Sequence, residues 1–204
     1  MKLSRLPSWM RQLARDPLVL PFYVPSFLVF LGYGFILPVL PLYVESFEVS
    51  YQWVGLVVSA QALGMLISDL PCGLLLGRLG QKRAMLLGVA VMVLTRIAFS
   101  WAGSVPELFI YRFISGFGMS LYGVARHAYV AGRSDIARRG RAMALFGGLL
   151  RIGKFIGPLI GGFVAAALGL RLSFAISGAV SGLALFFVFR SEEHTSELQS
   201  PSAI

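Results

Sequence analysis

Few side chains in this sequence can do chemistry, and most of them are cations set among apolar residues. Asp69 is the one carboxylate within the long apolar stretches, and Arg78, Lys82 and Arg83 follow it closely. An acid held away from water is costly unless paired. One of those cations, or the positive end of a neighbouring helix, is its expected partner. Arg96, Arg112, Arg151 and Lys154 stand inside other apolar runs. Lys154 falls about 12 residues into its helix, or about 18 Å along it at 1.5 Å per residue. Arg151 lies one turn earlier on nearly the same face, and Arg96 is expected to snorkel to the nearer surface. Ser120 and His127 share a helix but are separated by about 10.5 Å of rise, too far for a nucleophile and its base. His127 is expected at an interface. Tyr33, Phe35, Met119 and Tyr122 are candidates to line a cavity, with core packing as the competing role. The sequence has no His–Cys metal set and no G-x-x-x-x-G-K-[ST] loop for nucleotide phosphates, so no metal or cofactor is implied.

The elements that must hold these residues are membrane helices. Of the 204 residues, 57% are hydrophobic and 13% charged, about half the charge of a soluble domain. The mean hydropathy is +0.78. A soluble enzyme, a disordered chain and a disulfide scaffold are therefore excluded, the last because there is one cysteine. A spanning helix needs about 20 mostly apolar residues. Six such stretches are expected, near 18–44, 53–76, 84–102, 108–130, 142–168 and 172–189. They lack the strict alternation of a barrel strand. The fold class is an all-α membrane protein, a bundle of six transmembrane helices.

Basic residues set the orientation. The amino-terminal segment, residues 1–17, carries Lys2, Arg5, Arg11 and Arg15, and the second–third loop Arg78, Lys82 and Arg83. The fourth–fifth loop adds Arg133, Arg138, Arg139 and Arg141, whereas the opposite loops contain Arg171 as their one basic residue. This asymmetry predicts a multi-pass protein of the plasma (inner) membrane with a cytoplasmic amino terminus. The charge of +9 is thus topological, and nucleic acid is not an expected partner.

Two motifs go further. Asp69, Pro71, Gly73, Leu75, Arg78, Gly80 and Lys82 are spaced as D-x-P-x-G-x-L-x-x-R-x-G-x-K. Gly80 suits a tight turn, and Gly73 suits close helix approach. On the fifth span, Gly153, Gly157, Pro158, Gly161 and Gly162 read G-x-x-x-G-P-x-x-G-G. Glycines four apart advance 40° per step, so they form a stripe for close helix contact. The first motif resembles the signature loop of the major facilitator superfamily, with Gly77 in place of the loop aspartate and Gln81 in place of the first basic position. The second is similar to the helix motif of that superfamily's proton-coupled exporters. Softer likenesses are Leu31-Gly32 with Pro38 to Pro41 on the first span, and Arg112, Gly116 and Gly118 on the fourth.

The resemblance implies one half of a major-facilitator fold, with residues 18–189 as the amino-terminal six-helix bundle. It implies Asp69 with Arg78 as the gate contact, and Arg112 in proton handling. It implies a secondary transporter of a small molecule working by alternating access in the lipid bilayer, a proton-coupled exporter of multidrug type. The carboxy-terminal six-helix half would be a missing partner. Buried acids on that half, or an anionic substrate, would balance Arg112, Arg151 and Lys154. The alternative is an importer or exchanger of an anionic substrate; an intramembrane enzyme or an oligomeric channel is remote. Residues 190–204 change composition abruptly, and Arg190 to Ser200 resembles a translated sequencing adapter. That tail is expected to be foreign. Without its three glutamates the net charge would be +12.

Overall fold

The computed structural model describes residues 23–133 and 136–197, and side chains outside 133–139, 141–142 and 190–197. Among the described residues six long helices follow one another: α1 (Val24–Glu45), α2 (Tyr51–Leu79), α3 (Gln81–Phe99), α4 (Val105–Arg133), α5 (Ile136–Leu168) and α6 (Leu170–Glu197). Each overlaps an expected apolar stretch, α3 ending at Phe99, three residues short of the expected 102. The amino-terminal basic segment, the end of the tail from residue 198, and the start of the first expected span lie outside the described residues. Helix α6 runs past Phe189 to Glu197, further than its apolar stretch.

Five of the six helices are long and apolar enough to cross a membrane; α3 is not. Its 19 residues begin with Gln81, Lys82 and Arg83 and end near Arg96, so no window of the needed length is free of several charges. Two connections are single glycines. Gly80 at φ 75° and Gly169 at φ 89° occupy the left-handed region, which costs a glycine little and other residues more. Helix α4 starts on Ser104 and Glu107. The Glu107 carboxylate accepts from Gly103 N at 3.1 Å and Ser104 Oγ at 2.8 Å, a cap built as acid at a helix start favours.

The packing has an internal symmetry. Helix α1 packs on α5 and α6, α4 packs on α2 and α3, and α3 meets α6. Exchanging the first three helices with the last three maps this pattern onto itself, as for two related three-helix repeats. Glycine permits both long contacts. A Cβ on Gly157 of α5 would fall 2.6 Å from the Gly34 Cα on α1. On the other side, a Cβ on Gly116 of α4 would fall 2.9 Å from the Met65 backbone N of α2. Gly153 and Gly161 likewise face α1 backbone, so the α5 stripe does what its spacing predicts. One expectation fails: Gly73 has nothing within 4 Å of an added Cβ among the described residues, and the same holds for Gly162, which lies off the α5 stripe. Neither is a close-approach site within this bundle, because α2 and α5 turn those faces outward.

Candidate functional site

Four helices surround one open cavity of about 510 Å³. Helix α1 contributes Phe30 and Tyr33, α2 contributes Met65 and Asp69, and α5 contributes Lys154. Helix α4 supplies Met119, Ser120, Gly123, Val124, Arg126 and His127. Thus two aromatic rings, two thioethers and a valine share the lining with one carboxylate, two cations, a histidine and a serine.

Asp69 does not pair with Arg78. Its Oδ1 accepts a hydrogen bond of 2.5 Å from Ser120 Oγ on α4, and no ion pair joins it to Arg78 among the described residues. The reason is helical geometry. Nine residues of α2 separate the two, which is about 13.5 Å of rise and half a turn of phase. Arg78 therefore projects from the opposite side of the helix. Lys82 starts α3 beyond the turn, away from the cavity.

The cations form a sequence with aromatic rings between them. Arg126 Cζ lies 4.1 Å from the Phe146 centroid, 5.3 Å from Phe30 and 5.4 Å from Tyr122. Lys154 Nζ lies 5.5 Å from both Phe30 and Tyr33. Arg112 Cζ lies 5.8 Å from Tyr33. Phe30 and Tyr33 thus each serve two cations. Such contacts stabilise by roughly 0.5–2 kcal/mol each. Burying an ion costs several kcal/mol, so the rings offset part of that cost.

The expected site residues separate into groups. Lys154, Tyr33, Met119 and Asp69 meet at the cavity. Tyr122 is buried beneath it, its hydroxyl 2.9 Å from Ser26 Oγ. Phe35 is buried against α5 at Gly161 rather than lining the space. Arg112 is 3% exposed and lies outside the lining, while the Glu107 carboxylate is taken up in capping α4. Arg151 is exposed and off the cavity. Arg96 does not snorkel. It is buried and donates to Ser181 Oγ and, at 3.5 Å, to the Val29 carbonyl. Its place on α3 faces α1 and α6 rather than lipid, which is why reaching the surface gains nothing. His127 reaches the cavity and meets Phe146 edge-on at 6.5 Å.

Sequence reasoning missed Arg126. The signal was present: Arg126 lies fourteen residues after Arg112 on one helix, so the two are about 21 Å apart and within 40° of one face.

The family model of the Major Facilitator Superfamily matches residues 23–203. The chain belongs to this superfamily. It is 30% identical over 132 residues to Multidrug resistance protein 2 of Bacillus subtilis, covering 65% of this chain and 33% of that protein. It is 30% identical over 138 residues to the Quinolone resistance protein NorA of Staphylococcus aureus, covering 67% and 35%. An uncharacterized MFS-type transporter of Methanocaldococcus jannaschii, MJ1560, is 25% identical over 136 residues, covering 67% and 35%. The matched region is thus about a third of these relatives' length. Among solved structures, a peptide transporter POT in complex with sulfate superposes with a TM-score of 0.75 at 21% identity, covering 87% of this chain and 38% of that one. It shares the fold. The superfamily resemblance read from the signature loop and the fifth-helix motif therefore stands, as does the all-α membrane fold. The chain is a multi-pass major-facilitator membrane protein, and its relatives are transporters rather than enzymes.

Proposed function

We propose that this chain is the amino-terminal half of a secondary transporter that exports small amphipathic molecules in exchange for protons. One observation carries the reading: a carboxylate, Asp69, opens onto a cavity that also presents the apolar faces of Phe30, Tyr33, Met65, Met119 and Val124. Apolar and aromatic walls accept varied organic bodies, and a carboxylate there can take up and release a proton as access alternates. Ser120 holds that carboxylate in one orientation. The resistance functions named for the Bacillus and Staphylococcus relatives support export.

In this reading a carboxy-terminal half closes the open side of the cavity, and the basic end of the bundle faces the cytoplasm of the plasma membrane. Exposed Phe155, Leu159 and Phe163 on α5, and Leu66, Leu70 and Leu74 on α2, face that partner or lipid. Residues 190–204 are taken as foreign to the parent protein. The test is dye efflux by the parent protein in proteoliposomes carrying a pH gradient. Transport should follow the gradient and fall at least tenfold in Asp69→Asn. Undiminished transport after a protonophore collapses the gradient would overturn the proposal.

A second reading, uptake or exchange of an anion, has its own support. Arg126 and Lys154 outnumber Asp69 at the cavity.

A further inference from the structure

We infer that the Arg126 guanidinium is the receptor for the anionic head of an amphipathic organic ligand, whose flat apolar body lies against Phe30, Tyr33, Met65 and Met119. This rests on the transporter reading of the same cavity and names the ligand class that the cavity favours.

Arg126 is 5% exposed, and it lines the cavity. Its Nε and Nη1 are buried with no hydrogen-bond partner among the described residues. A guanidinium presents its donors as a planar fork that matches a carboxylate, sulfonate or phosphate. Here three rings, Phe30, Tyr122 and Phe146, surround that fork. The Tyr122 hydroxyl is hydrogen-bonded to the guanidinium, but the ring faces accept no in-plane hydrogen bond, so Nε and Nη1 stay without a partner among the described residues.

The acid within the site does not meet the need. The recorded partner of Asp69 is Ser120 on α4, and no ion pair joins it to Arg126 among the described residues. Lys154 adds a second positive charge, over the same Phe30 ring that Arg126 faces. An anion entering from the cavity therefore finds unsatisfied donors, an excess of positive charge and aromatic faces for its body. A ligand cation would meet the opposite field from Arg126 and Lys154.

The test uses the 204-residue chain in lipid nanodiscs, with empty nanodiscs to subtract partition of the probe into lipid. The probes are 1-pyrenesulfonate and 1-pyrenemethylammonium, which share a ring and differ in charge. The wild-type chain should bind the sulfonate about tenfold more tightly. Arg126→Gln should remove that preference without weakening the ammonium probe, and Arg126→Lys should keep part of it. If Arg126→Gln fails to fold, phenylglyoxal labelling of the wild-type chain decides. Pyrenesulfonate should protect Arg126 from modification, read by peptide mass spectrometry, and pyrenemethylammonium should not. Equal affinity for the two probes, an undiminished preference in Arg126→Gln, or no protection of Arg126 would overturn the inference. Failure of gradient-driven efflux would overturn the exporter reading and leave this binding result standing, because binding is measured without a gradient.

Discussion

Ser120 on α4 donates a 2.5 Å hydrogen bond to Asp69 on α2. The bond spans 51 residues of sequence and ties together the two helices that meet at Gly64 and Gly116. It therefore joins a site residue to the packing that positions it. A change at the Asp69 carboxylate would therefore act directly on the α2–α4 contact.

A double-mutant cycle follows from this pairing. Asp69→Ala and Ser120→Ala should couple, by about 1 kcal/mol in stability, the worth of a typical hydrogen bond. Asp69→Asn and Arg78→Gln should be additive within about 0.5 kcal/mol, as for residues that share no partner. Thermal unfolding in detergent of the wild type, each single variant and the two double variants measures both cycles. Strong coupling of Asp69 to Arg78 would restore the signature-loop contact that the helix phase excludes.

The α5 glycines should divide into two classes. An added methyl at Gly157 meets the Gly34 backbone of α1, which cannot rotate away. Gly157→Ala should cost about 1–3 kcal/mol, as overpacking does. At Gly162 an added Cβ would meet no atom of another helix within 4 Å among the described residues. There Gly162→Ala should be neutral or stabilise by up to about 1 kcal/mol, through helix propensity. Melting temperatures of the two variants check the division, and equal losses would show that the motif acts as one unit.

The helices were legible because six apolar runs, five of them on helices long and apolar enough to cross a membrane, are separated by short polar loops. The α1–α5 contact was legible because glycines at Gly153, Gly157 and Gly161 keep one face. Side-chain partners were less so. The signature spacing suggests Asp69 with Arg78, yet partnership depends on which face each residue occupies, and the Asp69 face meets α4. Arg126 escaped notice for a related reason. It stands near the basic end of α4, where a cation reads as a topology signal, and only the rings of α1 and α5 show that it is enclosed. The same holds for Arg96, whose partners come from α1 and α6.

Arg96 offers a test of what a buried cation contributes here. It is 1% exposed, and Ser181 still donates to the Ser177 carbonyl at 2.9 Å if the arginine is removed. Replacing a buried ion by an apolar group of similar length is often neutral or stabilising. Arg96→Met should therefore melt no lower than the wild type. Arg96→Ala should lose about 2–5 kcal/mol, because it leaves a cavity between α1, α3 and α6. Equal destabilisation by both variants would mean that the guanidinium hydrogen bonds, rather than its volume, hold these helices.

Lys154 and Arg151 stand one turn apart on α5, yet the cavity includes the first and not the second. Lys154 is held over Phe30 and Tyr33, at the cavity wall. Its charge should act on ligands through space, at a strength set by a partly wet cavity. At 4 Å and an effective dielectric of about 20, a charge pair is worth about 4 kcal/mol, falling steeply as water enters. Lys154→Gln in the parent protein should lower affinity for an anionic probe several-fold and raise it for a cationic one. Arg151→Gln should change neither, because its side chain lies off the lining. Competition binding with the two pyrene probes measures both effects. A selective loss of anion binding in Arg151→Gln, with Lys154→Gln unaffected, would place the ligand on the outer face of α5 and not in the cavity that Phe30, Asp69 and Arg126 enclose.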